Sequence, residues 1–189
     1  MIPLEIASNA APLLAPIWQT GVTMNVDVGT SVRNVCRQIG IPDNYLDERI
    51  QTLFLNGKAI DDPDTTIVSD RAVLAFSAAM PGLAGATLRK GGSYASFRKV
   101  ITEAAVSAAP TPPQRGSITL KLFNFISQEL APILLRYGIL IGTDELLQLL
   151  KRTPNPFPEI RSIGVPLRSL QDLENATSGH EIVLLRLSN

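Results

Sequence analysis

The chain has 189 residues, enough for one large domain or two small ones with a buried core. Its composition, 45% hydrophobic and 18% charged, excludes an intrinsically disordered chain. Lys plus Arg and Asp plus Glu stand at 17 each, so no net field steers a nucleic acid or a membrane surface toward it, and a single cysteine with a single histidine excludes an intrachain disulfide and a Cys/His zinc site.

Ile2, Leu4 and Ile6 alternate, the period of a strand with one buried face. The N-terminal segment has no basic start, and Pro3, Pro12 and Pro16 interrupt its apolar residues, which argues against a secretory signal. Leu13, Leu14, Ile17 and Trp18 are placed to fold back on a sheet. Val22, Met24, Val26 and Val28 alternate again, with Thr23, Asn25 and Asp27 facing outward. Gly29 turns the chain, and Thr30 or Ser31 caps a helix carrying Val32, Val35, Cys36 and Ile39 on one face. Gly40 and Pro42 stop it. A strand over 50–55, the turn Asn56-Gly57 and a strand over 58–60 form a hairpin. A polar stretch over 61–66 leads to a last strand over 72–76.

The segment from Leu53 through Asn56-Gly57, the Asp61-Asp62-Pro63-Asp64-Thr65-Thr66 stretch and the Ser69-Asp70-Arg71 turn to Phe76 resembles the MoaD/ThiS family of ubiquitin-like sulfur carriers. The helix over 31–39 ending in Gly-Ile-Pro is similar to that family's helix as well. The resemblance covers roughly the first 85 residues and implies a β-grasp fold. It also implies a protein partner of the adenylating or cofactor-synthesis kind.

In that family a terminal Gly-Gly carries the chemistry, because its carboxylate is adenylated and thiolated. Here Gly91 and Gly92 are adjacent but internal, and half of the chain follows them. Gly82 and Gly85 fall nearer the family position but are not neighbours. An internal glycine has no free carboxylate, so carriage of sulfur requires cleavage after Gly92. Two other readings use the same residues. Ser93 caps a helix bearing Tyr94, Phe97, Val100 and Ile101, with Gly91-Gly92 as its flexible lead-in. Alternatively Arg89, Lys90, Gly91, Gly92 and Ser93 form an anion site for phosphate or carboxylate at that helix N-terminus.

The Pro-rich run over 108–116 reads as an extended linker. Beyond it Leu122, Phe125, Ile126, Leu130, Ile133, Leu134 and Tyr137 trace a helical face interrupted by Pro132. A strand over 117–124 competes, since Ile118, Leu120 and Leu122 also alternate, and length favours the helix. Gly138 ends it, and Ile139–Ile141 is a short apolar passage. Thr143 caps the next helix, with Asp144 and Glu145 in its first turn and Lys151 and Arg152 in its last, matching the macrodipole. A strand over 162–167, a short helix near 170–176 and a closing strand over 181–187 complete the chain. Strand, Gly turn, polar excursion and closing strand thus occur over 53–76 and again over 162–187.

No catalytic constellation emerges. His180 lies in a turn before a strand with no nameable partner, and Cys36 sits on an apolar helix face as a buried thiol. Asp61, Asp62 and Asp64 flank Pro63 without calcium-loop spacing and read as a turn. The expectation is an α+β protein: a ubiquitin-like β-grasp domain over 1–85, a Gly-Gly segment, helix and Pro-rich linker over 86–116, and a smaller α+β domain over 117–189. It is expected to be non-enzymatic, without cofactor or metal, cytoplasmic, and a protein-interaction module that binds neither nucleic acid nor membrane. The alternatives are a sulfur-carrier precursor and a small-anion binder.

Overall fold

The computed structural model describes residues 1–78, 112–152 and 157–188. The chain is a mixed α/β protein built on one ten-stranded sheet. In chain order the strands are β1 (Ile2–Ile6), β2 (Val22–Val28), β3 (Thr30–Ser31), β4 (Thr52–Leu55), β5 (Lys58–Ile60), β6 (Ile67–Val68), β7 (Ala72–Ser77), β8 (Gln114–Phe123), β9 (Ile139–Gly142), β10 (Ile160–Ser162), β11 (Val165–Leu167) and β12 (Ile182–Leu187). A 3-10 helix (Ser8–Leu14) precedes α1 (Ala15–Thr20). The remaining helices among the described residues are α2 (Val32–Gln38), α3 (Asp43–Glu48), α4 (Ile126–Tyr137), α5 (Thr143–Lys151) and α6 (Leu170–Thr177).

The sheet runs β11-β10-β1-β12-β9-β2-β8-β7-β4-β5, and the short β3 and β6 pair separately. All its pairings are antiparallel except β1 with β12 and β7 with β8. The register explains why one side is buried. Val22 stands opposite Leu120, which stands opposite Leu74, and Leu4 stands opposite Leu185, which stands opposite Ile139. Because side chains alternate with a period of two, these rows lie on one face, and every one of these residues is buried. The helices contribute Val32, Val35, Cys36, Leu130, Leu134, Leu146, Leu150 and Leu173 to the same core, so the described residues form two layers. Thr23, Thr119, Asn25, Ser117, Glu5 and Arg186 occupy the opposite, more polar face.

The two flanks of the sheet share a pairing pattern. Outward from the seam where Thr23 of β2 meets Leu140 of β9, each flank reads antiparallel, parallel, antiparallel, antiparallel. On one side the strands are β2, β8, β7, β4 and β5; on the other they are β9, β12, β1, β10 and β11. Each flank therefore borrows a strand from the other end of the chain. β8 enters between β2 and β7, and β1 enters between β12 and β10. The expected boundaries at 85/86 and 116/117 are crossed by the sheet, and β1 does not pair with β2.

Local expectations hold where the signal is local. Ser31 is the α2 N-cap and its hydroxyl accepts from the Asn34 N–H at 3.3 Å. Asn56 and Gly57 both have positive φ, the type I′ geometry of a two-residue hairpin. Four expectations are corrected. Residues 117–123 form the strand β8, and α4 begins only at Ile126 and continues through Pro132. Gln114–Gly116 belong to β8 and not to a linker. The expected strand over 162–167 is the hairpin β10–β11, turning at Ile163-Gly164. Gly142 is the N-cap of α5, while the Thr143 hydroxyl donates to the His180 carbonyl. Helix α3, which was not anticipated, is tied to α4 by the Tyr45 hydroxyl donating to Glu129 at 2.6 Å and by an Arg49–Glu129 ion pair.

Candidate functional site

Helices α1 and α5 face each other across a groove of about 580 Å³. Leu13, Pro16, Ile17 and Thr20 line one wall; Glu145, Gln148, Leu149 and Arg152 line the other. Both sets follow the i, i+3, i+4, i+7 spacing that puts residues on one helical stripe. Ile17 is buried and forms the floor with the half-buried Leu13 and Leu149. Leu146 and Leu150, on the other side of α5, are anchored in the core, which fixes how the Glu145–Arg152 stripe is presented.

The rim is polar and its charges are separated. Glu145 and Arg152 are seven residues apart, about 10 Å along the helix. The Thr20 hydroxyl sits 3.1 Å from Glu145 Oε1 and 3.0 Å from the Ile17 carbonyl, bridging the two walls at the Glu145 end. At the other end Arg152 is exposed and forms no ion pair among the described residues. A carboxylate at one end, a guanidinium at the other and an apolar floor between them make an oriented surface.

Around Cys36 and in the Asp61–Asp64 turn the charged side chains are paired within the fold. Arg33 is largely buried, with its guanidinium hydrogen-bonded to Asp47 at 2.9 and 3.1 Å and to Asp64 at 2.6 and 3.1 Å. Those hydrogen bonds, Asp47 first and then Asp64, hold Arg33 above the usual guanidinium range. Arg37 is paired with Asp43 at 2.7 Å. Asp62 closes its own turn, accepting from the Asp64 N–H and the Thr65 hydroxyl, both at 2.8 Å. These hydrogen bonds, with Thr65 the main cause, hold the Asp62 carboxyl below the usual carboxylate range. Cys36 is fully buried. The His180 ring lies with Nδ1 3.1 Å from the Ser178 carbonyl, and its backbone carbonyl anchors Thr143. Arg89, Lys90, Gly91, Gly92 and Ser93, together with the helix expected to follow them, lie outside the described residues.

The groove went unread in the sequence because its two walls are 125 positions apart at the Thr20–Glu145 contact. A signal was present: once Leu146 and Leu150 are assigned to the core, Leu149 is left as an apolar residue between the polar Glu145, Gln148 and Arg152. No protein-family model, no curated protein and no solved structure matches the chain.

Proposed function

We propose that the chain is a non-enzymatic protein-interaction module that receives a helix of a partner protein in the groove between α1 and α5. The observation that carries this reading is the pair of matched helical stripes with Glu145 and Arg152 at opposite ends. Helix-in-groove recognition requires an apolar trough that accepts residues at i, i+3, i+4 and i+7. Charge at the two ends sets the direction of the guest, with its basic residue toward Glu145 and its acidic residue toward Arg152.

The β-grasp reading belongs to this proposal. Taken as a unit, β2, β8, β7, β4 and β5 with α2 after β2 give a hairpin-like pair, a helix, a second hairpin and a parallel central pair. This order supports the β-grasp reading that the MoaD/ThiS resemblance implies, with the first strand supplied from later in the chain. The sulfur-carrier precursor fares worse on physical grounds. Cleavage after Gly92 would put β8 on a different fragment from β2 and β7, the strands it joins.

The test is affinity capture from the source cell with the intact chain and with a Leu149→Asp/Arg152→Glu variant, followed by binding of the purified partner's helical segment. The expected result is a segment whose affinity falls at least about tenfold with Glu145→Arg. Reversing its basic residue should restore the affinity. A partner that binds wild type and variants equally overturns the groove reading.

A further inference from the structure

The α5 wall of the groove carries a symmetry of its own. Along its outer stripe the order is Glu145, Gln148, Leu149, Arg152. The acid and the base lie two turns apart, equally far from the point midway between Gln148 and Leu149. At about 100° per residue the four also spread evenly to either side of one line, with Glu145 and Arg152 close to it and Gln148 and Leu149 flanking it.

A second α5 laid antiparallel on this stripe, about a two-fold axis at that midpoint, meets it with opposite charge at both ends. Glu145 faces Arg152 of the second copy, and Arg152 faces Glu145 of the second copy. Near the axis Leu149 and Gln148 each meet their own counterpart, apolar against apolar and amide against amide. An isologous contact needs a surface complementary to itself, and one acid and one base at the two ends of a stripe provide it. A parallel pair would set Glu145 against Glu145, which like charge opposes.

The polar members of the stripe are accessible: Glu145, Gln148 and Arg152 are exposed. Lys151 is engaged within its own chain, with Glu174 at 3.2 Å, whereas Arg152 has no ion pair among the described residues. The Glu145 carboxylate accepts from the Thr20 hydroxyl through Oε1 at 3.1 Å, which leaves Oε2 for a guanidinium. Antiparallel packing also opposes the two helix dipoles, so that Asp144 and Glu145 at one N-terminus lie beside the C-terminus of the other helix. With Lys plus Arg and Asp plus Glu at 17 each, no net charge holds two copies apart.

We infer that the helix met by this groove is α5 of a second copy of the same chain, so that two grooves face each other in a two-fold dimer. The inference rests on the groove reading proposed above and names its occupant. An axis lying in the plane of α1 and α5 also stacks the two α1 helices, and Leu13, Ile17 and Leu149 of both copies then close one apolar core.

Sedimentation equilibrium of the intact chain over a concentration series tests this. Wild type is expected to pass from monomer to dimer as concentration rises. Glu145→Arg sets two arginines together at each end of the contact, and Arg152→Glu sets two glutamates there, so each should weaken the dimer at least about tenfold. Mixing the two variants in equal amounts should restore it, because every end then pairs an arginine with a glutamate. Both positions are exposed, so the variants keep the fold, which circular dichroism checks. A wild-type chain that stays monomeric overturns the inference, and so does a dimer that neither reversal weakens or that mixing does not restore. The groove reading survives those outcomes if a foreign helix binds with the charge dependence given above, so the two failures are told apart.

Discussion

Asp70, in the turn before β7, accepts the backbone N–H of Ser117 in β8 at 2.8 Å, and the next residue, Arg71, donates its N–H to the Ser117 carbonyl at 2.8 Å. A turn of the first half of the chain thus grips the strand that the second half inserts beside it. Arg71 adopts positive φ to present both groups. The clamp and the adjacent ladder leave no room at residue 116: a Cβ there would meet Val28 Cγ2 at 2.7 Å and Asp70 Oδ1 at 2.8 Å.

Gly116→Ala should therefore destabilise the protein by about 1–3 kcal/mol, the usual cost of forcing extra atoms into a packed site. Urea denaturation followed by circular dichroism measures it. An unchanged midpoint would mean that β8 is not seated against Val28 and Asp70 as described.

The clamp also predicts a pH dependence. The Ser117 N–H, the main cause, holds the Asp70 carboxyl below its usual range; Arg37 does the same for Asp43, and Tyr45 followed by Arg49 for Glu129. A carboxyl whose folded-state pKa is depressed contributes stability above its unfolded value, about 4, and loses that contribution as pH falls through the folded value. Tyr45 has the opposite sign. Burial first, then Glu129, raises its pKa, so its contribution is present below about 10 and fades as pH rises beyond it. Urea midpoints should decline below about pH 4 and again above about pH 10. Asp70→Asn should flatten part of the acid limb and Tyr45→Phe part of the alkaline one. The acid effect should be modest, because the Asp70 side chain is 47% exposed.

Residues 1–92 expressed alone should not fold. They carry β2 and β7 without β8, and β1 without β10 and β12. The lost strand contains Ile118, Leu120 and Leu122, all essentially buried, and burial of each such side chain contributes roughly 1.5–3 kcal/mol. A dispersed amide spectrum from the isolated fragment would contradict the exchange of strands and revive the cleaved-carrier reading. Recovery of structure on mixing with 93–189 would support the exchange directly.

The two hairpins make a natural comparison. Asn56-Gly57 and Ile163-Gly164 have nearly the same backbone, with φ of 51 and 79° in one and 48 and 78° in the other. Asparagine tolerates that conformation; a β-branched residue does so at a cost. Ile163 is 79% exposed, so replacing it gives up almost no burial. Ile163→Asn should stabilise the protein by about 1 kcal/mol. A loss of stability in thermal unfolding would show that the isoleucine makes a contact of its own, in this chain or with another.

Much of the local structure was legible in residue order. The alternation of Val22–Val28, the Ser31 cap, the Asn56-Gly57 turn and the dipole-matched charges of α5 all depend on neighbours within a few positions. What they do not contain is the identity of a strand's partner. Alternation tells which face of Ile2–Ile6 is buried, but β1 satisfies that requirement as well beside β12 as beside β2. Residues 117–123 show the same limit more sharply. Ile118, Leu120 and Leu122 fit a strand and Leu122, Phe125 and Ile126 fit a helix, and only the slot between β2 and β7 decides for the strand.

The candidate site divides in the same way. The stripe Glu145–Arg152 was visible as a helix face and Ile17 as an apolar residue that folds back. The groove arises only when α1 is set against α5, since a groove is a property of two surfaces brought together. Sequence alone determined most of the strands and helices and which side of each is apolar, because those are short-range matters of sterics and solvent; it left 117–123 open between the two. Tertiary structure alone decided the exchange of β1 and β8 between the flanks and the groove between α1 and α5, because strand pairing and packing are chosen by contacts between residues far apart in the chain.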